Sequence, residues 1–181
     1  MVSFYSEEEL KELGLKSYGY NVKISRYAHL YNAENISIGN NVRIDDFCIL
    51  SGKIKIGSNI HISAFSALYG AGGITLEDFT GISSHSTIYS AIDDFSGEFL
   101  IGPIHNKSVT NVSYGNVILK KYSQLGAHSV IFPGITIGEG SATGTMTLVN
   151  KDIPEWSIYI GQPARFLKER SKGLLKLTLQ R

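Results

Sequence analysis

An aliphatic residue recurs at every sixth position through most of this chain, and that spacing leaves few folds open. Ile38, Ile44, Leu50, Ile56, Ile62 and Leu68 form one run; Leu76, Ile82 and Ile88 form a second; Leu119, Leu125, Ile131 and Ile137 form a third. Thr143 falls in phase and Val149 resumes the pattern. Six is a multiple of the strand period of two but not of 3.6, so a helix would scatter these residues around its circumference. Short strands joined by corners keep them on one axis. Three hexads then make a triangular coil, and coils stack by parallel backbone pairing at about 4.8 Å per step. An ordinary sandwich would place strands every 8–12 residues with hairpin turns, which the strict six does not fit. Small or polar residues beside the aliphatic ones, such as Gly39, Ser63, Gly126 and Gly144, are expected to let the chain turn.

The interruptions are informative. Leu30 to Ser37 and Leu68 to Thr75 each run eight residues instead of six, and their starts lie 38 residues apart, two 18-residue coils plus two. Both bulges therefore belong over one corner. Residues 94–116 lack the period and leave the coil as an excursion, and such a long non-repetitive loop in a compact domain is usually functional or disordered. At the front, Ser6 and Glu9 form a capping box that predicts a helix from Glu7 to Leu13, ending near Gly14. At the back, Pro163 precedes an expected helix from Ala164 to Leu177. The predicted organisation is one all-β domain: an N-terminal helical cap over 1–20, a parallel β-helix over 21–160, and a helical tail over 161–181. Terminal elements are needed because an open coil exposes unpaired strand edges.

Composition narrows the function classes. The formal net charge is +1, with no basic excess of the kind that marks nucleic-acid binders. The single cysteine, Cys48, excludes an internal disulfide and any CxxC zinc pair. No apolar run approaches the ~20 residues of a membrane span, and the opening MVSFYSEEEL does not read as a secretory signal. The expected location is the cytoplasm. Gly70-Ala71-Gly72-Gly73 is not a dinucleotide fingerprint, since no helix follows.

The hexads, together with LGAHSVIFPGITIGEGSATGTMTLVNKDIP (125–154) and GQPAR (161–165), resemble the hexapeptide-repeat acyltransferases over nearly the whole chain. The likeness is nearest to the galactoside, maltose and surface-polysaccharide O-acetyltransferases and to sugar-nucleotide N-acetyltransferases. It implies a left-handed parallel β-helix, a homotrimer with sites between subunits, and acetyl-CoA as co-substrate. The acceptor it implies is a sugar hydroxyl or amino group, in surface polysaccharide or O-antigen biosynthesis. It places the pantetheine arm along Gly126, Ala127, Gly144 and Thr145, whose backbone would bond it. It places Lys151 near the CoA phosphates, and Pro163, Ala164 and Arg165 near the adenine. The chain departs from the family at Gly144-Thr145-Met146-Thr147, where Gly-Ala-Gly-Ser is common, and at Asn150, where threonine is common.

Attack by an alcohol on a thioester needs a base, whereas a neutral amine needs less help. Of the five histidines, His85 and His105 flank or occupy the excursion; His29, His61 and His128 have weaker cases. Where related O-acetyltransferases carry the catalytic histidine, this chain has Ile92-Asp93-Asp94. The expected catalytic group is therefore His85 as proton acceptor, with Asp93 or Asp94 orienting it or binding the acceptor. The aspartates could instead simply turn the chain. Two other functions fit the fold. A trimeric carbonic anhydrase would need zinc histidines, two of them five apart, and no two histidines here are so spaced. A non-catalytic scaffold would explain the missing histidine, but not the CoA-like C-terminal segments.

Overall fold

The computed structural model describes residues 3–178, without the side chain of Thr178. The chain winds as a triangular coil with three parallel faces. The first face holds Ser17–Tyr18, Ile36–Ile38, residues 54–56 and 74–76, Val117–Leu119 and Thr136–Ile137. The second face stacks seven strands in parallel, Val22–Ile24, Val42–Ile44, Ile60–Ile62, Gly81–Ile82, Gln124–Leu125, Ala142–Thr143 and Ser157–Ile160. The third face holds His29–Tyr31, residues 49–51 and 67–69, Thr87–Tyr89, Val130–Ile131 and Leu148–Val149.

The hexad residues point inward as expected. Ile44, Ile62, Leu50, Leu68, Ile88, Leu125 and Ile131 are all fully buried. Each such side chain contributes roughly 1.5–3 kcal/mol of hydrophobic stabilisation. Thr143, which replaces an aliphatic residue in phase, has a satisfied hydroxyl: it accepts from the Gly126 amide at 2.9 Å and meets Ser129 Oγ at 3.0 Å. Serines inside the coil likewise donate to corner carbonyls, Ser86 to Gly126 at 3.1 Å and Ser129 to Gly144 at 3.2 Å. A buried hydroxyl without such a partner costs stability, as at Thr80 and Ser123, whose side-chain oxygens are buried and unpaired among the described residues.

The corners differ from the expectation that small residues make the turn. Most residues in the left-handed region at two of the corners carry full side chains: Phe47, Phe65, His85, His128 and Met146 between the second and third faces, and Asn21, Asn41, Asn59, Phe79, Tyr122 and Trp156 between the first and second, with φ between 53° and 62°, while Gly140 is the small residue at this last corner. Left-handed backbone costs an ordinary residue about 1–2 kcal/mol. Stacking from coil to coil offsets it: Phe47 lies 4.9 Å from Phe65, Phe79 lies 5.1 Å from Tyr122, and amide bonds link Asn21 to Asn41 and Asn41 to Asn59.

The third corner, between the third and first faces, collects every insertion. Leu50 pairs with both Leu30 and Leu68, and Ile54 with both Ile36 and Ile74, so the two bulges sit over the same corner, around Gly52. The excursion leaves from this corner too, since Ile88 pairs with Leu68 and Val117 with Ile74. It begins earlier than expected. Ala91–Asp93 already runs antiparallel to Val112–Tyr114, so its base is a hairpin rather than an irregular loop.

Helix α1 (Glu7–Glu12) carries the expected capping box, and Leu10 closes the first coil with 3% exposure. Arg26 grips Glu9 through two bonds, and that pairing lowers the Glu9 carboxyl to about 2. The expected helical tail is corrected. Arg165–Glu169 is a strand antiparallel to Ser157–Ile160, and α2 (Leu174–Thr178) is a single short turn beyond it. The edge of the last coil requires a backbone partner, which a helix could not supply. Residues 1–2 of the expected cap and 179–181 of the expected tail lie outside the described residues.

Because Ile62 is fully buried in a rigid stack, Ile62→Ala is expected to lower unfolding free energy by about 2–5 kcal/mol. Urea denaturation checks this; a loss below about 0.5 kcal/mol, the size of an ordinary surface change, would contradict the packing described.

Candidate functional site

The excursion folds back over its own base. Leu100 bridges to Thr110, and Asn106 caps the short 3-10 turn Lys107–Val109 by accepting from the Ser108 amide at 3.1 Å. The hairpin and its return limb enclose a cavity of about 640 Å³ lined by Asp93, Gly102, His105, Lys107, Val112 and Tyr114, among others. That volume suits a small-molecule ligand, and its few polar groups converge from different limbs. Asp93 Oδ1 accepts from the Gly102 amide at 3.5 Å. Asp94 turns outward. Its Oδ1 accepts from the Ser96 amide at 2.7 Å and its Oδ2 from Asn111 Nδ2 at 2.9 Å. These bonds, from Ser96 first and then Asn111, hold the Asp94 carboxyl below the usual carboxylate range. Asp94 is thus a fixed anion at neutral pH, suited to accept a hydrogen bond from an amine or ammonium rather than to remove a proton.

His85 does not lie at the excursion's mouth. It stands at the corner between the second and third faces, and Asp93 is reached from the opposite corner. The strand Thr87–Tyr89 separates them, about 10 Å of extended chain. No hydrogen bond joins His85 to either aspartate among the described residues, so the expected His–Asp coupling is absent within one chain. The His85 ring is sandwiched between Phe65 and His128, each 4.7 Å away. His61 pairs with Asp45 at 2.7 Å on the second face, and His29 stacks on Tyr31 in the first coil. His105 lines the excursion cavity. Among the described residues no group of three or more His, Cys, Asp or Glu is placed to hold a metal ion.

The C-terminal residues expected to meet CoA gather around the third face. Gly161 accepts from the Leu148 amide at 3.0 Å, Ala164 donates to Leu148 at 2.8 Å, and Gln162 donates to Met146 at 3.0 Å. The turn with Pro163 and Ala164 thereby lies along Leu148 as one more rung, and Arg165 opens the returning strand. Gly126 and Gly144 stack so closely that a Cβ on Gly126 would stand 2.4 Å from the Gly144 carbonyl. Their backbone groups have partners in the chain: Gly126 N–H donates to Thr143, Gly144 N–H to Tyr159, and both carbonyls accept from serine. The backbone left available at this corner belongs to Ala127 and Thr145, whose amides make no hydrogen bond among the described residues. Lys151 is exposed at the excursion's corner, two coil steps beyond it.

No protein-family profile matches the chain. It is similar to the dTDP-4-amino-4,6-dideoxy-D-glucose acyltransferase of Escherichia coli, with 41% identity over 179 residues, 97% of this chain and 93% of the relative. It is also similar to AntD, an N-acyltransferase from Bacillus cereus. The S84C variant of AntD, in complex with dTDP-4-amino-4,6-dideoxyglucose and coenzyme A, superposes with a TM-score of 0.97 at 53% identity, covering 99% of this chain and 97% of that one. AntD with dTDP and 3-hydroxybutyryl-CoA matches at 54% identity and a TM-score of 0.97, over 99% and 96%. The D94A variant of AntD has likewise been solved with dTDP and coenzyme A. These matches show a left-handed β-helix of the acetyltransferase type. This chain carries a serine at 84 and an aspartate at 94. Sequence reasoning passed over Ser84; its only local signal was its place beside His85 at a corner.

Cys48 lies in the interior of the coil. Its side chain is fully buried, and burial pushes its thiol up to about 11. A thiol reagent such as Ellman's is expected to label it only after denaturation; rapid labelling of the native protein would contradict this.

Proposed function

This chain belongs to the dTDP-amino-sugar acyltransferases of the hexapeptide-repeat fold, and we propose that its reaction moves an acyl group from acyl-CoA to the amine of a dTDP-4-amino-4,6-dideoxyhexose. The observation that carries this reading is the full-length likeness to AntD, whose solved complexes hold that amino sugar and coenzyme A together. An amine acceptor also suits the site's chemistry, because a fixed carboxylate at Asp94 can receive an N–H. The reading on a sugar hydroxyl is set aside in favour of nitrogen.

The neutral amine attacks the thioester carbonyl and forms a C–N bond. The tetrahedral intermediate loses a proton from nitrogen, expels the CoA thiolate and leaves an amide; the thiolate takes up a proton. Ser84 and Asp94, at opposite ends of the Thr87–Tyr89 strand, act together if the excursion of one subunit covers the corner of its neighbour. A homotrimer with sites between subunits provides that arrangement. The exposed aromatic stack of Tyr27, Phe47 and Phe65, and an excursion surface with Ile104 87% and Phe95 71% exposed, give apolar area for such a contact. In the assembled site His85 takes the proton released from nitrogen, Asp94 holds the amine, and Asp93 lines the acceptor cavity. The pantetheine arm bonds the amides of Ala127 and Thr145 beside Gly126 and Gly144. Lys151 meets the CoA phosphates, and Pro163, Ala164 and Arg165 border the adenine. The product keeps its nucleoside diphosphate and so remains a glycosyl donor, which fits a role in surface-polysaccharide assembly in the cytoplasm.

Purified protein with dTDP-4-amino-4,6-dideoxyglucose and acetyl-CoA or 3-hydroxybutyryl-CoA is expected to release free CoA thiol and form the N-acyl sugar. No turnover with either donor would sink the reading. His85→Asn keeps the left-handed corner, which asparagine tolerates, and is expected to lower kcat about a hundredfold. A loss of only a few-fold would remove His85 as base and leave the amine to react unaided.

Lys151→Glu is expected to raise the Kd for CoA about fivefold to tenfold, through loss of a charge-assisted bond to phosphate. Calorimetry with CoA checks it; unchanged affinity would move the phosphate site elsewhere.

A further inference from the structure

Three lysines on and beside the first face have no role in the chemistry described so far. Lys16, Lys53 and Lys55 line a groove of about 670 Å³ together with Asn35, Ser37, Asn116 and others. No carboxylate lines this groove, and none of the three ammonium groups has an ion-pair partner among the described residues. By contrast Lys120 is bound to Glu77 at 3.0 Å. Three uncompensated cations within one concavity are costly in a chain whose net charge is only +1. The polar rim adds hydrogen-bond donors: Ser37, Lys55 and Thr75 follow one another outward along the register of successive coils. A groove of this size and sign suits a phosphoanion with more than one phosphate.

Its position says which one. Lys53 stands on the corner from which the excursion leaves, two coil steps to the N-terminal side, because Gly52 pairs with Gly70 and the next level down is Ser90. Asn116, the last residue of the excursion's return limb, borders both the groove and Gly73. Two steps are about 10 Å. Lys151 stands two steps to the C-terminal side of the same exit. Along this corner the order is therefore lysine groove, excursion, Lys151. The proposed acyl transfer puts the two substrates end to end at the excursion, with their charged ends pointing away from each other. In a 4-amino-hexose the amine and the anomeric diphosphate stand at opposite ends of the pyranose ring, a separation that two coil steps accommodate.

Resting on that reading of the acceptor, we infer that Lys53 and Lys55, assisted by Lys16, form the subsite for the diphosphate of the nucleotide-sugar acceptor. The groove then sets acceptor class: it favours nucleoside diphosphate sugars over free amino sugars, while leaving the choice of acyl group to the C-terminal coils.

The test is the Lys53→Gln/Lys55→Gln double variant, both exposed positions whose replacement leaves the core intact. The KM for dTDP-4-amino-4,6-dideoxyglucose is expected to rise about tenfold or more, with the KM for acetyl-CoA unchanged. Inhibition by dTDP should weaken in parallel, whereas inhibition by thymidine, which lacks phosphate, should not. An unchanged acceptor KM, or a rise in the acetyl-CoA KM instead, would overturn the assignment while leaving the acyl-transfer reading in place. If the wild-type protein acylates no dTDP-amino sugar, that reading fails first. Calorimetry with inorganic pyrophosphate then decides the groove alone: binding by wild type that the double variant loses upholds a phosphoanion site, and equal binding by both removes it.

Discussion

Parallel backbone pairing between coils, with an aliphatic side chain turned inward at every sixth residue, is the constraint on which the rest of this structure depends. It fixes the cross-section. Once Ile44, Ile62, Ile82 and Leu125 stack in one column, a residue cannot be inserted into a face without turning its whole strand inside out. Additions are confined to corners, and in this chain they all fall on one corner. The two bulges and the excursion are versions of the same permitted change, the first adding two residues and the last a hairpin with its own cavity.

That confinement also orders the chemistry. A coil is nearly one-dimensional, so a site is specified by its corner and its level. The proposed donor site occupies the last coils, the excursion the middle and the lysine groove the first coils. The excursion stands out from its coil and carries the exposed Phe95 and Ile104. Asp94 is held at the excursion's base by Ser96 and Asn111, which suits the proposed role of meeting a neighbouring subunit's corner.

The coil, its bulges and the place of the excursion were readable because the period of six is a strict steric requirement. The helix over Glu7–Glu12 was readable from Ser6 and Glu9, whose capping bonds are local. What was not readable depends on contacts between coils. The left-handed corners fall on Phe47, Phe65 and His85 rather than on small residues, because stacking on the neighbouring coil offsets a local cost. The returning strand Arg165–Glu169 exists because the last coil has an open edge, a property of the stack and not of that segment. His85 and Asp93 are close in sequence, yet that interval spans one face of the triangle and separates them. Sequence proximity located both residues near the excursion but could not say that the pair belongs to two corners. The lysines of the groove are scattered from 16 to 55 and carry no motif; only the register brings them together.

The central claim is that the corner bearing Ser84 and His85 and the excursion bearing Asp94 come from different subunits. Mixed assembly tests it most directly. The His85→Asn and Asp94→Asn proteins would each be purified, unfolded, combined in equal amounts and refolded together, then assayed for acyl transfer beside each parent refolded alone. If the site spans two subunits, the mixture recovers up to about a quarter of wild-type turnover, since each interface draws its corner and its excursion at random. A mixture no more active than the mean of its parents would place both halves of the site in one chain and contradict this arrangement.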